Sequence, residues 1–133
     1  MKIQYRKVST LLLTGVIMGI SLSSCKKDNE PTTRDHLIGT WDAKFPPSDY
    51  NYSATLTFSA DQTLITNFSY CYAPTDCYSY GYTGTWALIA DDTKLVTTSA
   101  GSEPDTIDIL SINSSSMIIQ DGPDFVLALD KVQ

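Results

Sequence analysis

The chain has 133 residues, of which 42% are hydrophobic and 18% are charged. This length suits one domain and leaves no room for two of ordinary size. Fifteen Asp and Glu residues against nine Lys and Arg give a formal net charge of −6. That balance argues against nucleic acid or anionic lipid headgroups as partners, because phosphate binding requires clustered Lys and Arg.

The first 24 residues have the pattern of an export signal. Three basic side chains among the first seven residues precede a mainly apolar run at 8–20. A permanent membrane-spanning helix needs about 20 apolar residues, whereas a shorter run suits a signal that is removed after export. We therefore predict a signal peptide at residues 1–24. Its removal leaves 109 residues with six Lys and Arg against fifteen Asp and Glu, a formal charge of −9.

Cys25 follows this signal directly. The sequence Leu-Ser-Ser-Cys at 22–25 resembles the lipobox of bacterial lipoprotein precursors, in which the cysteine thiol receives a diacylglyceryl group and becomes the new N-terminus. The resemblance implies that Cys25 carries fatty acids such as palmitate and that this lipid anchors the protein to the outer membrane. The alternative is an ordinary secretory signal followed by a free cysteine.

Residues 25–36 are polar and show no apolar periodicity, and we predict a lipidated flexible tether there. Its start, Lys-Lys-Asp-Asn-Glu at 26–30, resembles the export signal of surface-exposed lipoproteins of the Bacteroidota. The alternative is a plain linker. Display at the cell surface and attachment to the inner leaflet of the outer membrane therefore both stay open.

The two remaining cysteines, Cys71 and Cys77, are close together in the sequence. Exported proteins experience an oxidising compartment, so we predict a disulfide between these two thiols. The alternatives are a pair of free thiols or a metal clip, but the further His or Cys ligands that zinc requires are missing. The sequence predicts neither a metal nor a cofactor.

From residue 37 onward, apolar and polar side chains alternate with a period of two, which indicates half-buried antiparallel strands. Turn residues separate eight such segments, at 37–44, 52–58, 64–70, 78–89, 94–98, 106–112, 117–120 and 125–132. Short turns favour pairing of consecutive strands, and closure of the sheet removes its exposed edges. We predict an all-β fold, an eight-stranded antiparallel up-and-down barrel formed by residues 37–133.

Gly39 and Trp41 open the first predicted strand. The pattern Gly-x-Trp resembles the signature of lipocalins, and the strand layout resembles that of short lipocalin-like lipoproteins of the Bacteroidota. The resemblance implies that Gly39 lets the chain bend into the barrel and that Trp41 plugs its closed end beneath a basic side chain of the last strand. That side chain is Lys131, where lipocalins usually have arginine; lysine offers a point charge without planar stacking. A second Gly-Thr-Trp at 84–86 is either an echo of this packing or chance.

Few residues suggest catalysis or ion binding. His36 is the only histidine, and we expect it to precede the first strand rather than to act as a base, since a catalytic histidine would need to lie inside a pocket. Carboxylates at 91–92 and 121–124 fall in predicted turns, where Asp is favoured for its local hydrogen bonds. We therefore predict that the protein is not an enzyme. We also expect it to be a monomer.

The lipocalin resemblance implies a non-catalytic binding module for a small hydrophobic ligand. The candidate ligand-binding side chains are Tyr52, Leu56, Phe58, Leu64, Phe68 and Trp86. The alternative is a cell-surface interaction protein that binds a glycan or a protein partner through the tyrosine-rich hairpin at 70–82. The simplest interpretation of these tyrosines is that they form strands well and cover a small core.

Overall fold

The computed structural model describes residues 30–48, 51–73 and 75–133. One short helix precedes eight strands: α1 (Thr33–Leu37), β1 (Gly39–Lys44), β2 (Asn51–Phe58), β3 (Thr63–Ala73), β4 (Asp76–Ile89), β5 (Lys94–Ser99), β6 (Asp105–Ile112), β7 (Ser116–Asp121) and β8 (Phe125–Lys131). Among these residues, no helix is long and apolar enough to cross a bilayer. The predicted signal peptide and Cys25 lie outside the described residues.

The eight strands form a closed antiparallel barrel in chain order, which confirms the predicted fold. Consecutive strands pair with each other, and β1 also pairs with β8. Trp41 of β1 thus lies beside Leu56 of β2 on one side and Lys131 of β8 on the other. This last pairing closes the sheet and leaves the barrel without a free edge strand along its body.

Because the strands are antiparallel, their connections alternate between the two ends of the barrel. Helix α1 and the turns at 59–62, 90–93 and 113–115 lie at one end, here called the closed end. The connections from β1 to β2, β3 to β4, β5 to β6 and β7 to β8 lie at the opposite, open end.

Inward-facing apolar side chains form the core. They alternate with exposed residues along the strands, as the period of two predicts. The buried apolar residues of the described chain are Leu37, Trp41, Ala43, Ala54, Phe58, Leu64, Trp86, Leu95, Met117, Ile119, Leu127 and Leu129. Full burial of each large member contributes about 1.5–3 kcal/mol, so this core holds the barrel together.

Helix α1 (Thr33–Leu37) overlaps the end of the segment at 25–36 that is predicted as a tether. The Thr32 hydroxyl accepts a hydrogen bond from the Asp35 backbone N–H (3.2 Å), and the Asp35 carboxylate accepts one from the Thr32 N–H (2.8 Å). This reciprocal capping box starts the helix, and Leu37 at its end is fully buried. The ordered domain therefore begins before residue 37. Five residues are too few to show a helical period, which is why the alternation analysis missed α1.

The β3–β4 hairpin is longer than the rest of the sheet. β4 has 14 residues, but only Gly84–Ile89 pair with β5, so the first half of β4 pairs with β3 alone. Near its tip Cys71 lies opposite Cys77, and the two form the predicted disulfide. Closure of so short a loop contributes about 2 kcal/mol in the chain-entropy model, which stabilises the projecting part of the hairpin.

Candidate functional site

Trp41 and Lys131 seal the closed end. The fully buried Trp41 donates its indole N–H to the Leu37 carbonyl (2.8 Å), and the Lys131 ammonium lies 5.1 Å from the centre of the Trp41 ring. Lys131 also donates to the His36 carbonyl (2.7 Å). Gly39 has a φ of +134°, and a Cβ there would lie 2.6 Å from Lys131 Cε. The Gly-x-Trp pattern and the lysine therefore form one packing unit with α1.

A second tryptophan contributes to the same seal. The Arg34 guanidinium lies 4.9 Å from the centre of the Trp86 ring and donates to the Ala60 carbonyl (2.9 Å). The Trp86 indole N–H donates to the Ser59 carbonyl (3.1 Å), and its ring meets Phe58 edge-on at 5.8 Å. Both tryptophans thus lie beneath a cation, an arrangement that contributes about 0.5–2 kcal/mol each.

Two carboxylates help to hold the closed end in shape. The backbone and side-chain hydrogen bonds from Thr32 lower the pKa of Asp35, and the hydrogen bond from the Thr63 N–H lowers the pKa of Asp61 in the turn between β2 and β3. Hydrogen bonds to the ionised form cause both shifts. The helix cap and this turn therefore favour charged carboxylates at neutral pH.

Above this seal, the barrel contains a cavity of about 280 Å³ that reaches the open end. Its apolar wall comes from opposite sides of the barrel and includes Leu56, Leu64, Phe68, Ile107, Ile119 and Leu127. The volume lies just below the range of about 300–1,000 Å³ that is typical of ligand pockets. It equals about nine water-sized volumes of about 30 Å³, so it suits a compact ligand of about ten non-hydrogen atoms.

The structure separates the six candidate ligand-binding residues into three groups. Leu56, Leu64 and Phe68 line the cavity. Tyr52 lies outside the lining but packs on Phe68, with 5.9 Å between the ring centres. Phe58 and Trp86 lie at the closed end instead, where their rings pack against each other and Trp86 lies beneath Arg34; we leave these two out of the ligand site.

The mouth of the cavity combines acidic and aromatic side chains. Asp105 begins β6, Asp121 ends β7 and Phe125 begins β8, and Phe45 and Tyr82 complete this ring of residues. Asp121 had been predicted in a turn, where its carboxylate would serve local hydrogen bonding. It instead belongs to a strand and lines the cavity, since β7 continues to that residue.

Thr66 places a hydroxyl in the same cavity. It is only 6% exposed and lies between Leu64 and Phe68 on the inner face of β3. Its Oγ1 has no hydrogen-bond partner among the described residues. An unsatisfied buried hydroxyl costs about 1–3 kcal/mol, so this atom suits a polar group of a ligand. Thr66 is not among the predicted ligand-binding residues, although the alternation along its strand places it on the inward face.

The tyrosines of the long hairpin form a continuous aromatic surface. We define the tyrosine surface as Tyr70, Tyr72, Tyr78 and Tyr80. The rings of Tyr70 and Tyr78 stack at 5.5 Å, and Tyr72 meets both edge-on. Tyr72, Tyr78 and Tyr80 are each more than half exposed. Since Tyr80 packs on the cavity residue Phe68 at 5.2 Å, this surface extends outward from the cavity mouth.

Another depression, of about 380 Å³, lies on the outer face of β2, β3 and β4. It is open to solvent, and its lining combines small polar side chains such as Ser53, Ser69 and Ser79 with the rings of Phe68 and Tyr80. Within the described ranges, no group of three or more His, Cys, Asp and Glu side chains is arranged to hold a metal ion.

Residues 22–119 match a family model described as a lipocalin-like domain. The match spans 98 of the 133 residues and ends within β7. Strand β8 lies beyond it, yet β8 pairs with both β1 and β7 and carries Lys131. No curated protein matches the chain.

Proposed function

This chain belongs to the lipocalin-like domain family, and on that premise we propose that it is a non-catalytic module that binds a small apolar ligand inside its barrel. The observation that supports this proposal is the cavity itself. One end of the barrel is sealed by Trp41 and Lys131, whereas the other opens through a mouth lined by side chains of several strands. A pocket that is closed on one side and apolar within favours entry of a ligand with its apolar part first.

The energetics fit a compact ligand. Each methylene group transferred from water into the cavity contributes about 0.8 kcal/mol. The barrel changes little to accept it, because the strands and the seal are already formed, and a preformed site loses less conformational entropy on binding.

Native mass spectrometry of the protein purified from the cell envelope and held in lipid nanodiscs tests this function. We expect an adduct of roughly one hundred to a few hundred daltons, a mass range set by the size of the cavity, that leaves on mild activation. A bare protein mass, combined with no uptake of an added small apolar alcohol such as 2-phenylethanol, would contradict ligand binding in the barrel.

We further propose that Cys25 anchors the protein to the outer membrane through its acyl chains, with the polar segment after it as the tether. The lipobox-like sequence at 22–25 supports this proposal. One acyl chain gives only marginal membrane binding, whereas two or three hold a protein almost permanently.

Substitution Cys25→Ser should therefore remove palmitate incorporation and the lipid anchor. Radiolabelled palmitate and extraction of membranes with alkaline carbonate measure the two effects. The control Ser24→Ala keeps the thiol and should remain acylated. Equal palmitate labelling of Cys25→Ser and the wild type would rule out this anchor. Protease treatment of intact cells then distinguishes surface display from the inner leaflet.

A second candidate function is recognition of a glycan at the tyrosine surface. It is favoured by one observation: Tyr72, Tyr78 and Tyr80 are each more than half exposed, and the rings of Tyr72 and Tyr78 contact each other. Exposed aromatic rings held in a fixed arrangement are suited to stacking against sugar rings, which have an apolar face.

On this hypothesis, Tyr72→Ala should lower the affinity for surface polysaccharide at least about tenfold, the size of effect expected at an interface hot spot. The barrel should unfold at the same temperature, since Tyr72 lies on the projecting hairpin. Leu110→Ala, an exposed truncation on β6, is the matched control. Unchanged glycan binding by Tyr72→Ala would count against this second function.

A further inference from the structure

We propose that the ligand of the barrel is an organic ammonium ion, with an apolar body and a protonated amine that retains N–H groups. This inference rests on the proposed ligand-binding function and specifies the ligand's head group. Three features of the cavity support it: two carboxylates at the mouth, aromatic rings in the same lining, and a buried hydroxyl that has no hydrogen-bond partner among the described residues.

The carboxylates determine the sign of the charge. Asp105 and Asp121 both line the cavity, and neither forms an ion pair with a described residue. Asp105 accepts a hydrogen bond from the backbone N–H of Thr106 (2.9 Å), an interaction that leaves its charge uncompensated. Two negative charges at the opening of a cavity with apolar walls concentrate the field there and attract cations.

No basic side chain of the described chain forms an ion pair with Asp105 or Asp121. The Lys and Arg residues within it are Arg34, Lys44, Lys94 and Lys131. Arg34 and Lys131 lie over the tryptophans of the closed end, and Lys94 begins β5 at that end. Lys44 ends β1 at the open end, where its exposed side chain pairs with Asp130 (3.4 Å). The carboxylate of a fatty acid would therefore meet the repulsion of Asp105 and Asp121 at the mouth, since no cation of the described ranges pairs with these two side chains.

Aromatic rings add an attraction that is specific for ammonium groups. Phe45, Phe68, Tyr82 and Phe125 all line the cavity. Phe45 and Phe68 pack edge to face, with 5.9 Å between ring centres. The negative faces of such rings attract organic cations, most strongly where water is excluded. Carboxylates and aromatic rings in one cavity are thus suited to an ammonium ion with an apolar substituent.

Thr66 distinguishes between types of ammonium ion. Its Oγ1 is buried in the same cavity without a hydrogen-bond partner in the described part of the chain. A primary ammonium carries three N–H donors and no acceptor, and a hydroxyl oxygen accepts such a donor. A quaternary ammonium has no donor and would leave the hydroxyl unsatisfied. The cavity therefore favours an amine that keeps its N–H bonds.

Probes of equal size test the head group. 2-Phenylethylammonium, 2-phenylethanol and phenylacetate share one apolar body of a size that suits the cavity. They would be titrated by calorimetry or NMR into the protein in lipid nanodiscs, with empty nanodiscs as the blank. We expect the ammonium to bind at least about tenfold tighter than the alcohol, and phenylacetate to bind most weakly.

Single substitutions show which side chains of the cavity favour the ammonium probe. Asp105→Asn and Asp121→Asn should each lower the affinity for 2-phenylethylammonium several-fold more than the affinity for 2-phenylethanol. Asp124→Asn, in the loop between β7 and β8 and outside the cavity lining, is the matched control. Thr66→Val should weaken the binding of 2-phenylethylammonium more than it weakens the binding of the trimethylated analogue. Thermal unfolding of each variant confirms that the barrel is intact.

The possible results distinguish failure of the ammonium head-group inference from failure of the proposed ligand-binding function. If the alcohol or phenylacetate binds as tightly as the ammonium, the head-group inference is overturned while ligand binding stands. If none of the three probes binds, both the inference and the proposed function fail. If Thr66→Val affects the ammonium and its trimethylated analogue equally, the hydroxyl does not select N–H donors.

Discussion

Replacement of Trp41 with Ala should lower the free energy of unfolding by about 3–5 kcal/mol, the cost typical of a large aromatic truncation in a core. Trp41 is fully buried and donates its indole N–H to the Leu37 carbonyl. Its loss leaves a void under α1 and removes the ring beneath the Lys131 ammonium. Since a small domain has only about 5–15 kcal/mol of stability, this single change removes a large part of it.

Chemical denaturation followed by circular dichroism measures this effect. Val126→Ala, on the exposed side of β8, is the control and should change the stability by less than about 0.5 kcal/mol. A loss of less than about 1 kcal/mol for Trp41→Ala would show that Trp41 is not the residue that seals the barrel. If Trp41→Ala does not fold, Trp41→Phe keeps most of the apolar volume while removing the hydrogen bond, and it should give a smaller, measurable loss.

The sequence was sufficient to predict the eight strands. Alternation with a period of two depends only on which face of a strand is buried, and the turns between strands contain the residues that turns require. The order of the strands then followed from short connections. The disulfide between Cys71 and Cys77 could be predicted for a related reason, because the two cysteines flank one turn and lie opposite each other in the hairpin.

The position of a residue along the barrel axis was harder to predict. Alternation assigned Leu56, Phe58 and Trp86 to the interior correctly, but it does not distinguish the sealed end from the cavity above it. That distinction depends on helix α1, which packs Arg34 over Trp86 and which is too short to show a period in the sequence. Phe58 and Trp86, which belong to the seal, were therefore predicted together with the residues that line the cavity.

The polar residues of the cavity were missed for a different reason. Asp105 and Asp121 stand at strand ends, where local sequence gives the same signal for a turn as for a residue that faces a cavity. Only closure of β1 onto β8 decides which strand ends surround a common opening. A ring of residues drawn from four or more strands is a property of the closed barrel, so no local pattern reveals it.

Substitution Ala54→Phe should abolish most ligand binding while leaving the barrel folded. Ala54 is buried on β2, lines the cavity and lies beside Phe68 in the sheet. A phenyl ring at this position occupies space that the ligand would use. The phenyl ring of 2-phenylethanol then loses its buried position, which is worth about 1.5–3 kcal/mol for an aromatic group. The affinity for 2-phenylethanol should therefore fall at least about tenfold. Overpacking should cost little stability, because the ring enters space that is already open.

The matched control is Ala128→Phe, because Ala128 lies on the exposed face of β8 and accepts the same ring without entering the cavity. Titration of both variants with 2-phenylethanol, together with thermal unfolding, measures the effect. If Ala54→Phe fails to fold, Ile119→Phe narrows the cavity from the opposite wall. Undiminished binding by a folded cavity-filling variant would place the ligand outside the barrel. The tyrosine surface would then become the site to test, since it is the exposed aromatic surface that continues from the cavity mouth through Phe68 and Tyr80.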